Sequence, residues 1–309
     1  MSQDSGQVVI SNSIFKVTVS PENGADIRQI IYLPKMISLL LETGWDRNEF
    51  DETSSAPGSE SNFLAKYQGG WQLMIPNAGF NSQLNETAFG YHGEAWEREW
   101  KVTYHSDSEI HLFVQLDSMP LSILRKLTLD HSEFLVTDEV TNNSTDEVQF
   151  LWGHHPAFSE EFLADSEINI PASTLRVLSD SNPTVDDVLP NFLTKNNGEY
   201  RVNNLFMNAR SFLGIFSNFA IPQLSIKNKK FNFEMEFTWS HEVFPHMWFW
   251  LENRKLTNFP WNKSIATLGL EPCSTKSNLG IADSLQDLRN LVRLSAGQRK
   301  TSKVSLKFS

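Results

Sequence analysis

The chain reads KVTY (101–104), IHLFVQL (110–116), LSILRKLTL (121–129), FLVTDEV (134–140) and VQFLW (148–152), with clusters of Ser, Asp, Asn and Thr between the segments. Short β-rich runs recurring at roughly 8 to 12 residues are spaced as in sandwiches and barrels. Alternation within a run gives one apolar and one polar face, as in a strand with one side on a core. An all-β, mainly antiparallel protein is therefore expected, with few short helices.

The pattern extends in both directions. Residues 7–20 hold strand-like segments around Ser11-Asn12-Ser13, and Pro21-Glu22-Asn23-Gly24 is a turn before a strand over 26–33. Residues 45–62 are polar and turn-rich, an expected surface loop, and 71–93 is too punctuated by Gly79, Gly90 and Gly93 to read as core scaffold. Further on, Phe231, Phe233, Met235 and Phe237 alternate with Asn232, Glu234, Glu236 and Thr238 within a strand-like 224–239. Residues 244–251 and 265–270 read as buried strands, 284–294 as a helix, and 304–308 as closing a sheet. Residues 205–216 fit either a short helix or a buried strand pair. No linker or internal repeat divides the chain, so a single domain over 1–309 is expected.

With 309 residues, 40% of them hydrophobic, the chain can bury a large core. A net charge of −11 disfavours nucleic acid, whose partners carry basic faces. Cys273 stands alone and the N-terminus lacks the basic and apolar regions of a signal peptide, so a cytoplasmic location is expected. The longest apolar stretch, 30–41, is interrupted by Pro34, Lys35 and Ser38, so no membrane span is expected.

Four constellations carry potential chemistry. Leu151 to Ser159 reads Leu-Trp-Gly-His-His-Pro-Ala-Phe-Ser, in which Pro156 is expected to end the strand and present imidazole at its end. Neighbouring residues of an extended chain point to opposite faces, so one of His154 and His155 is expected to face a pocket and the other to be structural. His92, in Tyr91-His92-Gly93, sits in a glycine-flanked turn that allows close ligand approach. Glu271 ends an apolar run directly before Pro272, where desolvation raises a carboxyl pKa and makes a better base. Trp248 and Trp250 share one strand face and offer a pocket wall.

Other chemistries have less support. His92, one of the paired histidines and Glu271 could converge on a metal, but no compact metal-ligand spacing is present and none is expected. Cys273, beside Glu271, is a poor nucleophile because a negative neighbour raises a thiol pKa. Nucleophile-elbow, phosphate-loop and dinucleotide motifs are absent, and no organic cofactor is expected.

Taken in order, Asn77-Ala78-Gly79, His92-Gly93, His155-Pro156-Ala157-Phe158, Phe244-Pro245-His246-Met247-Trp248 and Leu270-Glu271-Pro272 resemble the aldose 1-epimerase (galactose mutarotase) family over most of the chain. The likeness is strongest to its divergent branch with His-Pro-x-Phe and Glu-Pro motifs. The resemblance implies a β-supersandwich of the galactose mutarotase type, a monosaccharide substrate such as a hexose, and a monomer or homodimer. It also implies His155 as general acid on the ring oxygen and Glu271 as base on the anomeric hydroxyl. His92, Asn77, His154 and Trp248 are the matching substrate-binding candidates. No arginine stands beside Asn77, where the family usually has an Asn-Arg pair, and Arg98, Lys126 and Lys229 are the scattered cations available for a phosphosugar. The alternatives are a carbohydrate-binding protein of the same fold without catalysis, and a glycosidase. The latter needs two facing carboxylates, and only Glu271 has a motif behind it.

Overall fold

The computed structural model describes residues 6–46, 49–50, 56–180 and 189–309. Two large antiparallel sheets face each other. The first runs, in spatial order, Val8–Ser11, Phe15–Ser20, Asp26–Tyr32, Trp71–Met74, Gly153–Ser159, Ala266–Cys273, His246–Asn253, Arg210–Ser217 and Thr174–Asp180, with Ile37–Ser38 paired to Asp26–Tyr32. The second runs Leu193–Asn196, Glu199–Val202, Ser166–Ile170, Gln223–Asn228, Phe233–Trp239, Arg299–Phe308, Glu133–Asn142, Leu121–Asp130, Glu109–Gln115 and Lys101–His105. This is the expected supersandwich architecture.

The alternation seen in the sequence sets which face is buried. In Leu121–Asp130, Leu121, Ile123, Leu127 and Leu129 point inward, and in Phe233–Trp239 the apolar set Phe233, Met235 and Phe237 is buried while Glu234 and Glu236 face solvent. These side chains meet Phe15, Val17, Ile27, Trp71 and Phe158 of the first sheet in one continuous core. Burial of this much apolar surface, at roughly 25 cal/mol per Å², is the main force holding the sheets together.

Several expectations change. Trp71–Met74 is a fully buried strand near the middle of the first sheet, not an irregular margin: a short apolar run without alternation is what a strand covered on both faces looks like. Pro156 does not end a strand either. Gly153–Ser159 runs through it, because the position tolerates a missing N–H: the ladder to Ala266–Cys273 pairs Gly153 with Cys273 and Ala157 with Gly269 and is interrupted between. Residues 205–216 resolve into the strand Arg210–Ser217. Residues 284–294 contain only the end of the short helix Ile281–Ser284, a single 3-10 turn at Leu288–Asn290, and the strand Val292–Leu294, which pairs with Val148–Phe150. The expected loop over 45–62 lies partly outside the described residues, and its end opens the helix Glu60–Lys66. Among the described residues no helix is long and apolar enough to cross a membrane.

Candidate active site

The first sheet provides the floor of a cavity. His155 pairs with Gln72 on one side, Trp248 pairs with Glu271 on the other, and the register of Gly153–Ser159 against Ala266–Cys273 carries across its interruption to set His155 opposite Glu271. Directly opposed residues of antiparallel strands share a face. Gln72, His155, Glu271 and Trp248 therefore form one row, from four strands.

His155 Nε2 stands 3.8 Å from Glu271 Oε1, with the two residues 6% and 2% exposed. The cavity above them, about 480 Å³, is lined by Phe63, Tyr67, His92, Trp250 and Trp261 among others. A small-molecule site typically has this size and apolar lining with a few convergent polar groups. Glu271 reaches its place because the residue two positions earlier on the same face is Gly269: a Cβ there would collide with Oε1.

The walls come from other segments. The helix Glu60–Lys66 starts at Ser59, whose side chain accepts the Asn62 N–H, and ends at Tyr67. It lowers Phe63 and Tyr67 over the floor, with ring centroids 6.1 and 5.8 Å from His155. His92 has φ of 59°, an uncommon conformation for a residue with a side chain. It is held there by a reciprocal pair of hydrogen bonds: the His92 N–H donates to Gly79 O (2.9 Å), and the Gly79 N–H donates to His92 Nδ1 (3.1 Å). With Nδ1 an acceptor, the ring proton of neutral His92 lies on Nε2, and the ring lies 5.1 Å from that of His155. Trp248 is fixed by donation from Nε1 to Thr275 O (2.7 Å) and lines the cavity.

Burial sets the electrostatics. It pushes the His155 pKa down to about 4 and raises Glu271 well above the usual carboxylate range. Burial, and then the neighbouring His155, hold His92 well below the ordinary histidine value. Burial thus works against charge on both His155 and Glu271. Tyr67 stays protonated, raised by burial and then by the charges of Asp26 and Glu271. Cys273 is pushed up to about 12 by burial first, with Glu271 a lesser cause, so it is an inert thiol.

Two expected sugar contacts lie elsewhere. Asn77 is fully buried and spends its amide on loops: Nδ2 donates to Phe80 O and Gly90 O, and Oδ1 accepts the Ile281 N–H. His154 points away from the cavity into the space between the sheets, as strand alternation requires once its neighbour faces the floor. The remaining candidates, His155, Glu271, His92 and Trp248, converge on the cavity.

The sequence reading missed Phe63 and Tyr67, as well as Glu60, Ser211, Asn258 and Asn278, which also line it. The Ser59 cap and following Glu60 were a legible helix start. Asn258 and Asn278, on loops, and Ser211, in the strand Arg210–Ser217, carry no local signal. Among the described residues no Lys or Arg lines the cavity. Arg98 pairs with Asp117 and Lys229 with Glu167, while Lys126 lies on the half-buried outer side of its strand. Among the described residues no three His, Cys, Asp or Glu side chains form a metal-ligand set.

No protein-family model matches the sequence, and no curated relative does. Solved structures do match in fold. The Slr1438 protein from Synechocystis sp. PCC 6803 superimposes with a TM-score of 0.69 at 16% identity, covering 98% of this chain and 95% of its own. A protein from Escherichia coli K12, provisionally assigned as an aldose 1-epimerase, gives 0.67 at 17% identity with 98% of each chain covered. A galactose mutarotase-like protein from Lactobacillus casei gives 0.62 at 18% identity, covering 98% of this chain and 100% of its own. The chain has the galactose mutarotase-like fold.

Proposed function

We propose that this protein is an aldose 1-epimerase that interconverts the α and β anomers of an uncharged monosaccharide, with His155 and Glu271 as its acid-base pair. The observation that carries this reading is the pair itself: an imidazole and a carboxyl 3.8 Å apart on the floor of an aromatic cavity sized for one sugar ring. The provisional name of the Escherichia coli fold neighbour points to the same reaction. The aromatic walls suit the C–H faces of a pyranose. The absence of Lys and Arg from the described lining favours a sugar without phosphate.

Ring opening takes the proton from the anomeric O1 and places one on the ring oxygen O5 as the C1–O5 bond breaks, leaving an aldehyde. Rotation about C1–C2 and reclosure with the two transfers reversed give the other anomer. In the cyclic sugar complex Glu271 is the base and His155, as imidazolium, the acid. The neutral pair favoured by burial is the state they reach once the sugar is open, so one shared proton serves both half-reactions. Sugar hydroxyls donating to Glu271 stabilise its ionised form and prepare the pair for the cyclic substrate. In this reading the Nε2–H of His92 donates to a sugar oxygen. Each positioned proton-transfer group contributes about 10² to 10⁴ in rate.

The test follows anomerisation of freshly dissolved α-glucose and α-galactose, then a wider aldose panel, by polarimetry or NMR. Wild type should accelerate the approach to equilibrium, and His155→Ala and Glu271→Gln should each abolish the acceleration. No acceleration on any aldose, or full activity in both variants, refutes the assignment. Sugar binding without acceleration identifies a carbohydrate-binding protein instead.

A further inference from the structure

Behind the cavity floor lies a polar cluster that the proposed reaction does not use. Trp71 Nε1 donates to His154 Nδ1 at 3.2 Å. His154 Nε2 stands 3.5 Å from Oδ2 of Asp138, on the facing sheet. Asp138 in turn takes two parallel bonds from Arg125, Nε to Oδ1 at 2.8 Å and Nη2 to Oδ2 at 3.0 Å. The Arg125 guanidinium also donates to Ala25 O and lies over the Trp100 ring. Trp71, His154, Asp138 and Arg125 are all fully buried.

The cluster sits beside an interruption in the ladder of the first sheet. Between the Gly153–Cys273 and Ala157–Gly269 pairs the ladder is interrupted, with a proline in each strand, Pro156 and Pro272, that has no N–H to give. The interrupted stretch is the one that carries His155 and Glu271. On that side no ladder pair fixes His155 relative to Glu271. Its neighbour His154 is bonded, through the side chain, to Trp71 of the adjacent strand, while its Nε2 approaches Asp138 across the core without a hydrogen bond.

We propose that His154 is a positioning residue: by tying the Gly153–Ser159 strand to Trp71 and packing against the Asp138–Arg125 pair, it sets where His155 stands against Glu271. Because Nδ1 accepts from the indole, the proton of the neutral ring lies on Nε2, which stands 3.5 Å from the Asp138 carboxylate without a hydrogen bond to it, so the indole bond sets the tautomer. Burial, which pushes the pKa of His154 down to about 3, keeps the ring in that form at neutral pH. The catalytic consequence rests on the function proposed above; the placement of His155 does not.

The test has an arm for each. In protein labelled with ¹⁵N-histidine, the wild-type His154 signal should be that of an Nε2–H tautomer, unchanged from pH 5 to 8, and His154→Phe should shift the His155 ring resonances. In kinetics, His154→Phe and Trp71→Phe should each lower kcat about 10- to 100-fold with little change in KM. The double variant should lose no more than either single one. His154→Asn, which restores an acceptor for the indole, should recover part of kcat although it fills the space less well than Phe. Should His154→Phe fail to fold, Trp71→Phe probes the same contact and should shift the same His155 resonances.

An Nδ1–H tautomer, a His154 ring titrating near 6.5, or unmoved His155 resonances in the folded variants overturns the proposal. So does a kcat within two-fold of wild type in an active enzyme. If the resonances behave as expected but wild type turns over no aldose, the positioning stands and the reaction assigned to the cavity falls.

Discussion

The carboxylate of Glu271 lies over Gly269, two residues back along the same strand face, in space that any side chain at 269 would occupy. The glycine is not in a left-handed conformation, so its role there is room rather than backbone freedom. Gly269→Ala should push the carboxylate off its approach to His155 and lower kcat about 100-fold, the order expected for an ångström-scale misplacement. Stability should fall by about 1 to 3 kcal/mol, as for other overpacked sites. Polarimetry and thermal melts on the same preparation check the two numbers; unaltered kcat would show that the carboxylate can act from elsewhere.

The pH dependence of turnover should be displaced from that of free side chains. The working pair holds one proton. As pH falls through about 4, where the lowered His155 pKa lies, the pair takes a second and no base remains. The acid limb of kcat/KM should therefore lie near 4, not near 6.5. The alkaline limb reports loss of the shared proton, above the ordinary carboxylate range because Glu271 is raised. An acid limb centred at 6.5 would mean that His155 is more hydrated in solution than in this structure.

Stability should show a related acid sensitivity. His154, His155 and His246 have folded pKa values of about 3, 4 and 4, against 6.5 for a free histidine. The unfolded chain takes up protons first as pH falls, so the stabilisation is complete above 6.5 and is lost as pH drops towards 3 to 4. Glu271 acts in the opposite sense: its raised pKa contributes stability that is complete below 4.5 and is lost as pH rises through its folded value. His92, which burial also holds low, adds to the histidine side, and the four histidines outweigh Glu271, so urea midpoints should fall between pH 7 and pH 4.5.

Phe63 joins the wall together, with ring contacts to Tyr67, Tyr91, His92 and Trp96. Phe63→Ala should cost about 3 to 5 kcal/mol in stability, the usual range for a buried ring. It should also raise KM more than it lowers kcat, because it removes a wall and leaves the His155–Glu271 distance alone. Saturation kinetics together with calorimetry separate the two effects.

Asn77→Ala would leave Phe80 O, Gly90 O and the Ile281 N–H without their partner inside the protein. The cost should be on the order of 3 kcal/mol. A looser cavity rim, of which Phe80 and Gly79 are part, should appear as a raised KM. A variant with native melting temperature and native KM would show that water replaces the amide.

Much of this architecture could be read from residue order. The alternating faces of 121–129 and 233–238 hold, although the expected strand over 224–239 is folded by a turn into the paired strands Gln223–Asn228 and Phe233–Trp239, and the strand period puts His154 and His155 on opposite faces. Two readings failed for the same physical reason, that local signals do not report neighbours. Pro156 looked like a stop, but its missing N–H falls in an interruption of the ladder, a fact about Ala266–Cys273 more than a hundred residues away. Trp71–Met74 looked irregular, but it is covered on both faces by parts of the chain it cannot announce. Phe63 and Tyr67 were missed because a seven-residue helix carries too little periodicity to reveal which face it will press on a sheet.

The floor of the cavity comes from four paired strands, whereas Phe63, Tyr67 and His92 arrive on a short helix and a turn. On the proposed function, proton transfer and sugar choice fall to separable parts of the chain. Exchange of the helix and turn for segments of another shape should retarget the protein to a different sugar while leaving its acid-base machinery as it stands, which makes this scaffold suited to divergence, and to redesign, by its rims alone.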